Sequence, residues 1–247
     1  MLVSIKRSYD EVSKAAASQV AERIRRKPNL VLGLATGATP LGMYRELIRM
    51  HRDEGLSFAK VTSFNLDEYI GLPRTHPQSY YKFMWDNLLS HIDISLTSVY
   101  VPDGMAGDIG AHCEWYEEEI RRNGGIDFQV LGIGANGHLA FNEPGSSLGS
   151  RTRIKTLSEQ TVKDNARYFG SISEVPKTVI TMGIGTIMEA QEVLLLASSA
   201  SKAEAIRAAI EGPITAMVPA SIIQMHRLAY VTIDQDAASN LTHTFLG

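Results

Sequence analysis

Apolar positions along this chain follow two periods. Val12, Ala16, Val20 and Ile24 recur every fourth residue, which lines one face of a helix. Ser8 and Glu11 stand ahead of them at capping-box spacing, and Pro28 closes the run, so a helix from Ser8 is predicted. Residues 30–35 are almost wholly apolar, as suits a central parallel strand covered on both faces. Further short apolar runs at 61–67, 98–102, 127–133, 178–184, 193–198 and 228–234 predict strands. Helical spacing lies between them: Tyr80, Phe83, Met84 and Leu88 share a face, 109–123 ends at Gly124 and Gly125, and 201–212 ends at Gly212 and Pro213. Ser158 caps a predicted helix over 158–169, and 151–157 reads as extended and basic. About seven strands alternating with helices imply one α/β domain over 1–247 with a mainly parallel sheet flanked by helices.

Polar groups gather where these strands end, and ligands of open α/β sheets sit at carboxyl ends. The strand at 30–35 runs into Thr36, Gly37, Ala38 and Thr39, with Thr39 a plausible N-cap and Pro40 suited to the first helical position. Backbone N–H groups at such a helix start suit a phosphate, and an ordinary βα turn uses the same residues, so both readings stay open. No Gly-Lys-Ser/Thr follows, so a nucleotide P-loop is not implied. Asp67 and Glu68 end the next strand where it runs out into a loop. They read as solvated surface or as functional acids, and their shared sheet edge favours function.

The strand at 127–133 breaks into Gly132, Gly134 and Gly137, then Asn136, His138, Asn142 and Glu143 before Pro144. The glycines match a dinucleotide fingerprint in spacing, but no helix opens on them. No histidine lies four residues from His138 and no His-Glu-x-x-His is present, so neither a metal nor another cofactor is predicted. Lys202 opens a helix directly after a strand, against the dipole, and a broken local rule at a strand end marks a candidate. Arg167 sits at the end of the 158–169 helix, a position typical of surface arginines.

Composition narrows the partners. At 44% hydrophobic and 21% charged the chain reads as an ordinary globular protein, and a net charge of −3 without a basic arm argues against nucleic acid. No stretch approaches the ~20 apolar residues of a membrane span, and Met1–Asp10 lacks a signal-peptide core. Cys113 is the single cysteine, so an internal disulfide is impossible and the cytoplasm is expected.

Taken together, LGLATGATPLGMY, NLDEYIGLPRTHPQSYYKFM, GIGANGHLAFNEPGSSLGSRTR and SKAEA resemble the glucosamine-6-phosphate deaminase (glucosamine-6-phosphate isomerase) family over roughly residues 10–235. The resemblance implies a single Rossmann-like domain and conversion of glucosamine 6-phosphate and water to fructose 6-phosphate and ammonia. It implies that Asp67 is the C2 base and that His138 opens the ring, assisted by Asn136 and Glu143. It also implies that Thr36, Gly37, Ala38, Thr39 and Lys202 bind phosphate while Arg167 contacts the substrate. Many members carry Asp where Asn136 stands here. An amide holds no charge, so electrostatic support for His138 is expected mainly from Glu143.

Longer members are hexamers activated by N-acetylglucosamine 6-phosphate. This chain keeps Ser146, Arg153 and Lys155 at matching positions but ends at Gly247 without their extension. A monomer with hyperbolic kinetics is expected, although a homo-oligomer stays open. A 6-phosphogluconolactonase is one alternative, and it needs no C2 base. A galactosamine 6-phosphate deaminase is a second. A sugar-phosphate sensor is a third, and the single helix before residue 28 leaves no room for a helix-turn-helix.

Overall fold

The first helix forms as its capping residues direct. Ser8 accepts from the Glu11 N–H, and α1 (Tyr9–Arg26) buries Val12, Ala16, Val20 and Ile24. A strand the apolar pattern did not announce, β1 (Leu2–Lys6), precedes it. After α1 come β2 (Val31–Leu34), α2 (Leu41–Glu54) and β3 (Thr62–Asn65), then the short β4 (Asp67–Tyr69) and α3 (Tyr80–Asn87). Next are β5 (Val99–Tyr100), α4 (Ile109–Arg122), β6 (Phe128–Gly132), β7 (Arg153–Thr156), α5 (Glu159–Asn165) and β8 (Thr178–Thr181). The chain finishes with α6 (Ile184–Met188), β9 (Glu192–Ala197), α7 (Ala203–Ile210) and β10 (Ala229–Asp234). This computed structural model describes residues 1–245, the side chain of residue 164 excepted.

Seven strands build one all-parallel sheet in the order β1-β10-β9-β6-β2-β3-β5. The expected number of strands is met with a different membership. The run at 178–184 leaves this sheet: β8 pairs antiparallel with β4 and β7 in a second sheet of three strands. Its place among seven is taken by β1, which lies beside β10. Apolar clusters cover both faces of the large sheet. One gathers Phe64, Tyr116, Leu131, Leu195 and Val231, and the other Val20, Leu32, Tyr44, Val130 and Leu194. Leu131 and Val130 are neighbours on β6 that serve opposite clusters, as residues of a doubly covered strand must.

The small sheet matters because it carries Asp67. Sequence reading placed Asp67 on a loop, but it is the first residue of β4, paired with Thr181 of β8. An Asp-Glu-Tyr strand has no apolar alternation to announce it, and only its partner strand defines it. A neighbouring loop packs hard against β4: a Cβ on Gly104 would stand 1.9 Å from the Tyr69 carbonyl oxygen, and Gly104 accepts the Gly71 N–H at 2.9 Å. Gly104→Ala should therefore cost about 1–3 kcal/mol of stability through overpacking, measured by urea denaturation. Unchanged stability would mean that β4 yields freely at this contact.

Candidate active site

Parallel strands deliver the loops that follow them to one edge. From β2 the sheet grows to β3 and β5 on one side and to β6, β9 and β10 on the other, so strand order switches between β2 and β6. A crevice at the carboxyl ends beside such a switch is the usual ligand position in open α/β sheets. The turn 36–40 leaves β2 and the loop 133–144 leaves β6, so the two stretches with the strongest sequence signals flank that crevice. The turn 198–202, after β9, opens on the same edge.

In the turn after β2, Gly37 has φ of 97°, which glycine adopts without the steric cost of a Cβ. Thr36 and Thr39 are half-buried, and Gly37 and Ala38 are exposed. Thr39 does not cap the helix. Pro40 holds the N-cap position in helical conformation, and no side chain of that residue bonds the first turn. The cap comes from another helix: the Tyr9 hydroxyl accepts from the Gly42 N–H at 2.8 Å and donates to the Ala38 carbonyl at 3.0 Å. Nothing in the local sequence of the turn points to Tyr9.

Two cations sit within electrostatic reach of each other. Lys202 ends a 3-10 turn, Ala200–Lys202, and is the N-cap residue of α7. Its ammonium is pushed below the usual lysine range by burial and then by the charge of Arg167. Arg167 lies in a 3-10 turn, Ala166–Tyr168, with its guanidinium 4.7 Å above the Tyr168 ring. An anion bound by both relieves the repulsion between them.

The neighbouring acids 67 and 68 divide their roles. Glu68, 2% exposed, accepts the N–H groups of Tyr69, Tyr80 and Tyr81 at 2.8, 2.9 and 3.0 Å and so anchors the start of α3. Burial still pushes its carboxyl up to about 7. Asp67 is 5% exposed, and among the described residues no hydrogen bond holds its carboxylate. Burial, then the charge of Glu68, pushes it up to about 8. A buried, unengaged carboxyl beside a ligand crevice is suited to accept a proton from a substrate.

The loop after β6 is fastened to the same small sheet. Phe141 N–H donates to Thr181 Oγ1 at 3.2 Å, and Asn142 Nδ2 donates to the Met182 and Leu139 carbonyls at 2.8 and 3.0 Å. Met182 N–H in turn bonds the Leu66 carbonyl at 2.6 Å. The end of β8 therefore ties the Asp67 strand to the His138 loop, and neither Thr181 nor Met182 carried any sequence signal for this. Asn136 Oδ1 takes the His138 backbone N–H at 3.3 Å and lies 2.7 Å from Nδ1. The backbone donor identifies that atom as the oxygen, so Nδ1 carries the proton and Nε2 is the nitrogen able to accept one. The imidazole lies against Gly134, where a Cβ would stand 2.1 Å from Cε1.

Glu143 is engaged by the start of the following helix. Its Oε1 accepts Ser158 Oγ at 3.1 Å and Ser158 N–H at 3.4 Å, and Thr161 Oγ1 makes a short bond to the same atom. The carboxylate therefore stands at the start of α5, where the helix dipole favours it. Both hydroxyl partners lie well along the chain from Glu143; Ser158 reads in the sequence only as a helix cap, and Thr161 carries no signal there. Among the described residues no cluster of three His, Cys, Asp or Glu side chains could hold a metal. No helix there is long and apolar enough to cross a membrane.

A parallel α/β sheet here carries a cationic pair and a buried acid at the edge where open α/β enzymes hold their ligands. The chain belongs to the glucosamine-6-phosphate isomerase/6-phosphogluconolactonase family, whose model matches residues 5–232. A glucosamine-6-phosphate deaminase from Thermoanaerobacter sp. (strain X514) is 51% identical over 239 residues, covering 97% of this chain and 94% of its own. The solved structure of a monomeric glucosamine-6-phosphate deaminase superimposes with a TM-score of 0.95 at 49% identity, covering 98% of this chain and 100% of its own. A 6-phosphogluconolactonase from Trypanosoma brucei shares the fold at a TM-score of 0.78, with 21% identity and 98% of both chains covered.

The Asp67 environment makes stability depend on pH. The folded protein keeps this proton up to about 8, whereas an ordinary aspartate releases it near 3.8. The contribution is full below the lower value and lost as pH rises through the higher one. Asp67→Asn, uncharged throughout, should be more stable than the parent at pH 8 by more than about 1.4 kcal/mol, the worth of one pKa unit. The two should converge towards pH 4. Denaturant titrations at both pH values provide the check, and equal stability at pH 8 would show that Asp67 is not held protonated.

Proposed function

We propose that this chain converts glucosamine 6-phosphate and water to fructose 6-phosphate and ammonia. Asp67 carries the reading: a buried carboxyl fastened through β8 to the His138 loop suits proton abstraction next to a carbonyl. In this mechanism His138 Nε2 takes the proton of the anomeric hydroxyl and returns it to the ring oxygen, opening the sugar. Asp67 then removes the C2 proton of the open-chain aldehyde and delivers it to C1, while one proton of the C2 ammonium passes to O1, leaving a protonated imine at C2 and a hydroxyl at C1. Water adds to that imine, and ammonia leaves.

Asp67 must be ionised to act, and its burial opposes ionisation. The ammonium at C2 of the substrate supplies the opposite charge that favours the carboxylate, so the base becomes active when the amino sugar binds. Lys202, Arg167 and the N–H groups of residues 36–39 are the proposed phosphate ligands. Asn136 fixes the tautomer of His138, and Glu143 holds α5 against the same loop. We further propose that the chain works as a monomer, as described for the structural relative at 49% identity. Its buried free thiol, Cys113, suits the reducing cytoplasm. A 6-phosphogluconolactonase would have no use for a C2 base, so the Asp67 environment favours deamination.

Incubation with glucosamine 6-phosphate should release ammonia and fructose 6-phosphate in equal amounts. Hydrolysis of 6-phosphogluconolactone alone would overturn the reading. Asp67→Asn should cut turnover by ~10²-fold or more, the scale of general base catalysis; near-parental turnover would remove it from the mechanism.

Gly134→Ala tests the histidine independently. Gly134 is not among the residues of positive φ, so alanine suits the backbone, and the three atoms nearest its Cβ all belong to the imidazole. A fall in turnover of at least ~10-fold with an unchanged melting temperature is expected. Unaltered turnover would mean that the position of the ring does not matter.

A further inference from the structure

The turn that presents Lys202 contains a backbone strain the proposed mechanism leaves unexplained. Ser199 has φ of 85° and ψ of 152°, a region populated almost only by glycine. A serine stays there only if its surroundings hold it, and a buried carboxylate does so. Asp234, 5% exposed, closes β10 beside the end of β9. Both of its oxygens take the Ser199 N–H at 3.1 Å, one takes the Ala237 N–H at 2.8 Å, and Ser198 Oγ makes a short bond to the other. On its far side the Ser199 carbonyl accepts the Lys202 N–H at 3.0 Å. Asp234, Ser199 and Lys202 thus form one continuous chain of contacts. A second bond, 2.7 Å between Ser199 Oγ and Ser201 Oγ, stiffens the turn from outside.

We propose that Asp234 is a positioning residue for the phosphate site, holding Ser199 in its strained conformation and so setting where the Lys202 ammonium stands. The inference rests on the reading of Lys202 as a phosphate ligand. A carboxylate at this sheet edge would by itself repel a phosphate. Three donors from the turn and the following segment absorb its charge, so it acts on the anion only through the geometry it imposes. Ser199 is exposed, so its strain serves no core packing.

The test measures competitive inhibition by inorganic phosphate, together with KM and kcat for glucosamine 6-phosphate. The variants are Lys202→Ala, Asp234→Ala, Ser199→Val and the double variant Asp234→Ala/Ser199→Gly. Valine tolerates the Ser199 backbone less than serine does and disturbs no buried contact. Asp234→Ala and Ser199→Val should each raise the phosphate inhibition constant and KM about tenfold, with kcat within about threefold. Glycine adopts φ of 85° unaided, so the double variant should recover at least half of the Asp234→Ala loss on a logarithmic scale. Unchanged phosphate inhibition in Asp234→Ala and Ser199→Val, beside a loss in Lys202→Ala, overturns this inference and leaves the phosphate reading intact. No loss in Lys202→Ala overturns the phosphate reading itself. Failure of Ser199→Gly to recover affinity also overturns the inference, because Asp234 would then act through the fold alone. Should Asp234→Ala not fold, Ser199→Val decides the matter unaided.

Discussion

The site depends on keeping one carboxyl group out of water. Asp67 is covered because it starts a strand, β4, that the chain folds back against β8 in a small antiparallel sheet beside the main one. The ionised form of a group so placed is disfavoured by several kcal/mol unless an opposite charge arrives. Its neighbour Glu68 shows the alternative, because that carboxylate is engaged by three backbone N–H groups at the start of α3. Two adjacent acids with nearly equal burial therefore differ in what they can do. One fixes a helix, and the other is available to a substrate.

The same small sheet fastens the second half of the site. The last residues of β8 bond to the loop that carries His138 and to the residue before Asp67, so Asp67 and His138 share one support. This arrangement explains why the loop that carries Asn136, His138 and Asn142 is also tightly held. Asn142 is fully buried, and its amide nitrogen donates to two carbonyls. Functional constellations need supports of this kind, because small displacements of reacting groups cost large factors in rate.

At the other end of the crevice, burial and a neighbouring like charge act together on the Lys202 ammonium. Lys202 and Arg167 come from turns far apart in sequence and disfavour each other when no anion is present. The folded protein tolerates this repulsion, and in the proposed site a bound phosphate relieves it. Stability is given up at both ends of the site, by an uncompensated acid and by paired cations, and the proposed substrate, with an ammonium and a phosphate, complements both. A substrate that complements two destabilised groups is expected to stabilise the protein by mass action as well as to react in it.

Several features were legible in the sequence because they are local. The cap at Ser8, the buried face of α1, the apolar runs that became β2, β6, β9 and β10, and the glycine breaks after β2 and β6 each depend on neighbours a few residues away. The resemblance to a known family added residue roles that no spacing rule contains. What only the tertiary structure decided involves pairings across long separations. Asp67 became a strand residue because Thr181 lies opposite, the cap of α2 came from Tyr9, and Glu143 met Ser158 and Thr161. β1 found its place beside β10 at the other end of the chain. Periodicity reports which residues want to be buried and on which face. It carries no information on which distant donor will satisfy a given acceptor, because that depends on strand register and helix packing set by the whole core at once.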